Sequence, residues 1–255
     1  KTDGYKLRTD SDIKRGYENL TTNFHIGQAF QNSDITLRHW RTSGTVEYLD
    51  FFLTAIDQDF INESSAIEIN NNFKNNIQSK VIISSVKDDI KQNQSTAYVY
   101  SKRNIFDGQI SKLAGSHNIT GGLYLSDEEA SSFAWGSGYN KDTQSNAIFI
   151  QDQINEGNHR IFIAARLSDH ETFGKETTWN AEYGLSISDQ WSINASAGHA
   201  FRAPDATDRY GYGGNINLKP EASDDIQLNV AFRRDDNTTY RLELFDTKIE
   251  NLIEY

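Results

Sequence analysis

Apolar and polar residues alternate along most of this chain. Between 177 and 187 one side carries Thr177, Trp179, Ala181, Tyr183, Leu185 and Ile187; the other carries Thr178, Asn180, Glu182, Gly184 and Ser186. Strand side chains point alternately to two faces, so this pattern predicts a strand with one apolar and one polar side. Trp191, Ile193, Ala195 and Ala197 repeat it after Ser188-Asp189-Gln190, a link short enough for a hairpin turn. Ile226, Leu228, Val230 and Phe232 form a further set, and Tyr240, Leu242 and Leu244 another, joined through Asp235-Asp236-Asn237. Weaker alternation upstream predicts strands at 20–26, 67–69, 81–86, 96–100, 105–113, 119–125, 147–154 and 160–167. The pattern predicts about 13 strands and no helix, with loops at 44–65, 126–145 and 202–223.

Two architectures use such strands. A sandwich buries the apolar faces against each other and wets the polar ones, where Lys and Glu are common. A transmembrane β-barrel turns the apolar faces to lipid and lines its interior with polar residues. The polar face of 178–198 is mostly small and neutral, which favours the barrel. Segments of about 9–11 residues also suit a bilayer. Trp179, Trp191, Phe232 and Tyr240 at segment ends suit an interfacial girdle. Short links at 188–190 and 235–237 alternate with a long one at 202–223, as in barrels with short turns on one rim and long loops on the other. A soluble secreted β-sandwich or adhesin is the competing class.

Composition narrows the field. The 255 residues are 36% hydrophobic and 12% aromatic, and the aromatic share argues against disorder. The longest apolar run is the five residues Ile161–Ala165, far short of a membrane helix. A net charge of −11 disfavours nucleic acid as a partner. Zero Cys excludes disulfides and thiolate metal sites. Zero Met means that the chain does not begin at an initiator, and it is expected to be a piece of a longer protein. The histidines have no metal-ligand spacing, no Gly-x-Ser-x-Gly elbow occurs, and no nucleophile–base pair emerges, so an enzyme is not expected.

The most specific wording lies at 200–223: Phe201-Arg202-Ala203-Pro204, then Tyr210-Gly211, then Gly214-Asn215-Ile216-Asn217-Leu218-Lys219-Pro220-Glu221. It resembles the "FRAP…LYG…GNPNLKPE" segment of TonB-dependent outer-membrane receptors, with both prolines in place and Ile216 where the family has proline. Residues 165–174 with Thr178-Trp179 resemble that family's "R-x-D-x-x-x-FG…TW" hairpin, and 245–255 its "D-V-x-D-L-I-x-Y" strand. The likeness to the cobalamin-transporter branch extends more thinly to about Thr2.

The resemblance implies an all-β fold, an antiparallel transmembrane β-barrel of about 22 strands in a Gram-negative outer membrane. Residues 1–255 would be part of that barrel, without the family's plug domain and with a last strand cut midway at 253–255. It implies active import of a scarce large ligand, cobalamin foremost, with a siderophore or haem as the alternative. Energy would come from the TonB complex through the plug, and lipid would surround the barrel. Ligand contacts are expected in 44–65, 126–145 and 202–217, including Arg202 and Tyr210. Thr9-Asp10-Ser11-Asp12 is similar to the branch's calcium loop, and 47–59 to its second acidic loop. Calcium is therefore expected at Asp10, Asp12, Asp50, Asp57 and Asp59, although Lys6 follows Gly4-Tyr5 where the family has an acid.

Overall fold

A computed structural model describes residues 2, 4–6 and 12–254. Two short strands, β1 (Tyr5–Lys6) and β2 (Lys14–Arg15), pair with each other. Twelve long strands follow: β3 (Tyr17–Ala29), β4 (Ser33–Leu49), β5 (Ala55–Phe73), β6 (Ile77–Gln92), β7 (Tyr98–Ala114), β8 (His117–Ala134), β9 (Ser137–Glu156), β10 (His159–His170), β11 (Gly174–Ser186), β12 (Trp191–Arg202), β13 (Glu221–Asp235) and β14 (Thr238–Glu250). A helix, α1 (Ala206–Tyr210), lies between β12 and β13. The twelve strands form one antiparallel sheet in unbroken chain order, with β3 and β14 as its edges among the described residues.

Register places the apolar positions on one continuous face. Ile26, Leu37, Ile67, Ile83, Phe106 and Leu125 are successive cross-strand partners. So are Ile193, Val230 and Leu242. Polar ladders occupy the other face: Thr21–Thr42 at 3.0 Å, Ser111–Thr120 at 2.8 Å and Asn229–Glu243 at 2.9 Å. Arg38 and Lys80 both pair with Glu68 there, each at 3.2 Å.

Among the described residues nothing covers the apolar face. Among the described residues Ala130 and Ala147 are the buried hydrophobics, and no large side chain is fully buried. A sandwich requires a dry centre between two sheets; this single layer has none, and Ile148 and Ile150 remain 61% and 59% exposed. The apolar face therefore suits hydrocarbon. It ends upward in a charged row of direct partners, Arg41, Glu63, Lys87, Lys102 and Glu129.

Several expectations need correction. The intervals 44–65 and 126–145 are not loops. They are the upper parts of β4–β5 and β8–β9, joined by turns at 50–54 and 135–136. Their composition is largely polar, and the regular alternation that marks the other strands is missing there. The predicted strands 96–100 and 105–113 are one strand, β7. At 12–20 residues for the sheet strands, the lengths exceed a bilayer's requirement. The 202–223 connection holds a helix that was not expected, and the chain leaves the ladder at Glu250, so 253–254 are not strand; Tyr255 lies outside the described residues.

One rim carries only short links, at 30–32, 74–76, 115–116, 157–158, 187–190 and 236–237. The other carries the turns at 50–54, 93–97, 135–136 and 171–173 and the long 203–220 connection.

Candidate functional site: a strapped cleft at the long-connection rim

Neighbouring hairpins reach different heights. At about 3.3 Å per residue, the 20-residue β9 is about 66 Å long and the 12-residue β10 about 40 Å. The low β10–β11 hairpin leaves a step beside the tall β8–β9 hairpin. The 203–220 segment forms a strap across this step, and α1 packs against β8 and β9.

The strap's shape is written locally. Asp205 caps α1: its carboxylate accepts from the Asp208 N–H at 2.8 Å, and the Asp208 carboxylate accepts from the Asp205 N–H at 2.9 Å. This reciprocal capping box fixes a helix too short to persist alone. The fully buried Asp208 carboxylate faces Arg202 at 3.4 Å, and Arg202 also donates to Glu221 at 3.0 Å. Those two bonds tie the end of β12, the helix and the start of β13 together. Glu221 accepts further from the Ile253 N–H at 2.6 Å. That bond and Arg202 hold the Glu221 carboxyl below its ordinary range; Glu221 in turn raises Arg202.

The far side of the strap is held by rings and cations. The Tyr139 and Thr207 hydroxyls are 2.8 Å apart. Lys141 Nζ sits 4.6 Å from the Tyr210 ring centroid. The Arg209 guanidinium lies 4.9 Å from the same ring and 5.0 Å from Phe173 on the β10–β11 turn. Beneath the strap is a cleft of about 420 Å³. Its cations are Arg103, Lys141, Arg166 and Arg209, against Glu128, Asp142 and Asp205. Arg103 pairs with Glu128, and Arg166 lies 5.0 Å from the Tyr124 ring. A cationic excess within a chain of net charge −11 sets this place apart. His170 lines it too, at the rim end of β10; burial pushes its pKa below the ordinary value, and its Nδ1 accepts from the Thr172 N–H at 3.2 Å.

Of the residues singled out from sequence, Tyr210 lines the cleft and Arg202 stands behind it as the strap's anchor. Lys141 and Arg209 fall inside the expected contact regions 126–145 and 202–217 without having been singled out, and Phe173 lies outside them. The runs 126–134 and 137–145 on either side of Trp135-Gly136 do not alternate, so the sequence offered no period-two signal that 126–145 is a hairpin able to meet the strap.

The acidic residues lie apart from the cleft. Asp12 pairs with Lys6, and Asp10 is outside the described residues. Asp50 accepts from the Phe52 and Thr54 N–H groups at 2.9 and 2.7 Å, closing the 50–54 turn. Asp57 accepts from the Asn93 amide at 2.6 Å and from Gln94; these two bonds hold its carboxyl below the ordinary range. Asp59 accepts from Thr45 at 2.6 Å. Glu47 lies opposite Asp57 in register. Calcium takes 6–8 oxygens. Among the described residues no three His, Asp or Glu side chains are gathered where one metal ion could be held.

Comparison with known proteins decides the family. The family description "TonB dependent receptor-like, beta-barrel" matches residues 2–255. The chain belongs to the TonB-dependent receptor β-barrel family. Its place is the Gram-negative outer membrane. The family is one of receptors and transporters.

The vitamin B12 transporter BtuB of Vibrio vulnificus (strain YJ016) is 25% identical over 263 residues, covering 96% of this chain and 43% of that protein. BtuB of Vibrio cholerae serotype O1 (strain M66-2) is 33% identical over 91 residues, or 35% of this chain and 15% of that protein. The chain thus spans less than half the length of these relatives. Among solved structures, the siderophore receptor PirA from Pseudomonas aeruginosa superposes with a TM-score of 0.79 at 16% identity, covering 94% of this chain and 47% of that one. The FrpB iron transporter from Neisseria meningitidis (F3-3 variant) gives 0.76 at 11% identity, covering 92% and 45%. At these identities the likeness concerns the fold.

Proposed function

We propose that this chain is part of the wall of an uptake receptor that captures a large ligand at its long-connection rim, and that the ligand is cobalamin. The observation that carries the choice is the likeness to a vitamin B12 transporter along 96% of the chain. The strapped cleft is the receiving surface. Rings and fixed cations there desolvate and orient one edge of a large ligand, while the rest of the barrel supplies other contacts. Import would draw energy from the TonB complex acting through a plug domain. The reading is of binding and passage, with no bond chemistry.

A ferric siderophore is the second reading. The cleft's cations favour it, because they suit an anionic chelate. Calcium at the 47–59 hairpin belongs to the proposal only as an accessory that draws oxygens from beyond Asp57 and Asp59, and no uptake step is routed through it.

The test is uptake of labelled cyanocobalamin and of labelled ferric chelates by cells expressing the full-length protein, with and without a functional TonB complex. TonB-dependent cyanocobalamin uptake is expected. Uptake confined to ferric chelates would replace cobalamin with the second reading, and TonB-independent uptake would remove the energy coupling.

A further inference from the structure

The β8–β9 hairpin turns on Trp135-Gly136, both at positive φ, 54° and 80°. That is the backbone of a type I′ turn, in which Asn, Asp or Gly fits the first position without strain. A bulky residue there is strained. Core burial does not compensate, because Trp135 is 80% exposed. Its ring instead meets Tyr212, 73% exposed, at 6.4 Å and a 46° tilt. Tyr212 comes from the strap, just past α1. Two segments far apart in sequence therefore bring two open rings to one point above the cleft. Lower down, Tyr139 and Tyr210 repeat the arrangement at 6.3 Å and 46°. There the faces are occupied, by Lys141 and Arg209 against Tyr210. Among the described residues no cation sits on Trp135 or Tyr212.

We propose that Trp135 and Tyr212 form a stacking subsite at the mouth of the cleft, for a flat conjugated ring carried by the incoming ligand. This deepens the uptake reading and rests on it. A tilted pair accepts a third ring face-on against one member and edge-on against the other. Each aromatic side chain offers a large, rigid contact area with only two χ angles to order. A ligand with a planar macrocycle or an aryl group gains this contact; a purely aliphatic chelate does not. The strained Trp is then kept for its ring, at a position where the backbone alone would choose Asn.

That choice supplies the test. Trp135→Asn suits the turn, so it leaves the thermal stability of the full-length receptor unchanged or higher. In detergent, cyanocobalamin affinity is expected to fall about tenfold in Trp135→Asn and in Tyr212→Ala, as for loss of an aromatic pair. Trp135→Phe keeps most of the affinity. The double variant loses less than the product of the singles, because both rings hold one group. Unchanged affinity in Trp135→Asn and Tyr212→Ala overturns the subsite and leaves the uptake reading intact. Loss of affinity together with lower stability and faster proteolysis of 203–220 overturns it as well, because the pair then only tethers the strap. A wild-type protein that binds neither cyanocobalamin nor a ferric tris-catecholate overturns the uptake reading and the subsite with it.

Discussion

Trp191 and Phe232 are direct cross-strand partners on the apolar face, with ring centroids 4.7 Å apart, and Phe232 stacks in turn on Tyr240 at 6.3 Å. The three rings form a row along the short-turn rim, where a ring meets hydrocarbon on one side and headgroups on the other. Trp191→Ala is expected to destabilise the full-length receptor in lipid vesicles by about 1–2 kcal/mol, from the lost ring pair and buried area. Trp191→Phe should stay close to wild type. Urea unfolding followed by gel mobility checks both.

Adjacent positions in the middle of β9 give the sharpest test of which face meets lipid. Ile150 points to the apolar side and its neighbour Gln151 to the polar side, where it lies opposite Thr120 and Ala164. Ile150→Arg should cost about 2–4 kcal/mol of stability in a bilayer. Gln151→Arg should cost far less, because its side chain remains in the wet interior. Equal effects in vesicle unfolding would contradict the assignment of faces.

Arg202 holds the strap through Asp208 and Glu221. Arg202→Met leaves the buried Asp208 carboxylate without that cation. Limited proteolysis should then cut within 203–220 faster than in wild type, and ligand affinity should fall with it. Arg202→Lys restores one of the two bonds at best, because a single ammonium lacks the guanidinium's fork.

His170 makes the strap's footing pH-dependent. Burial is the main cause of its lowered pKa; the Arg209 charge adds to it, and Glu171 and Glu128 oppose it. Nδ1 is already an acceptor for the Thr172 N–H, so the folded protein prefers the neutral ring. The stabilisation is complete above the ordinary histidine value of about 6.5 and is lost as pH falls from there toward the lowered folded value. Ligand affinity and protection of the 171–173 turn from hydrogen exchange should decline across that window. His170→Gln should flatten the decline.

Calcium is checked at the acidic hairpin. Chelation is expected to weaken ligand binding by the full-length receptor, and Asp57→Asn combined with Asp59→Asn should remove the effect of chelator. If chelator leaves wild-type affinity unchanged, those aspartates serve only their present partners, Asn93, Gln94 and Thr45.

The wall was readable in the sequence because lipid imposes period two wherever a strand crosses it. Ile193, Leu228 and Leu244 each alternate with polar neighbours and each faces outward. The tall hairpins were not readable, because that alternation is missing there: Ser126–Ala134 and Ser137–Ser145 are polar on both faces yet form paired strands. The strap's motif was visible through Pro204 and Pro220, but its footing was not. Tyr139, Lys141 and Phe173 reach it only through the difference in height between β9 and β10, a property of paired lengths and not of any one segment.

Because each of the twelve strands bonds only to its predecessor and successor in the chain, every ladder joins segments that are consecutive in the sequence. Loop-closure entropy is then met one short turn at a time, and the wall can grow by accretion of hairpins without distant segments having to find each other. The same locality makes each hairpin an exchangeable module: a tip can be lengthened, shortened or grafted while the ladders on either side keep their register. The strap is the exception. By linking β12 and β13 to β8 and β9 it couples modules that are otherwise independent, so changes in Trp135, Tyr139 or Phe173 should be tolerated only alongside matching changes in 203–220.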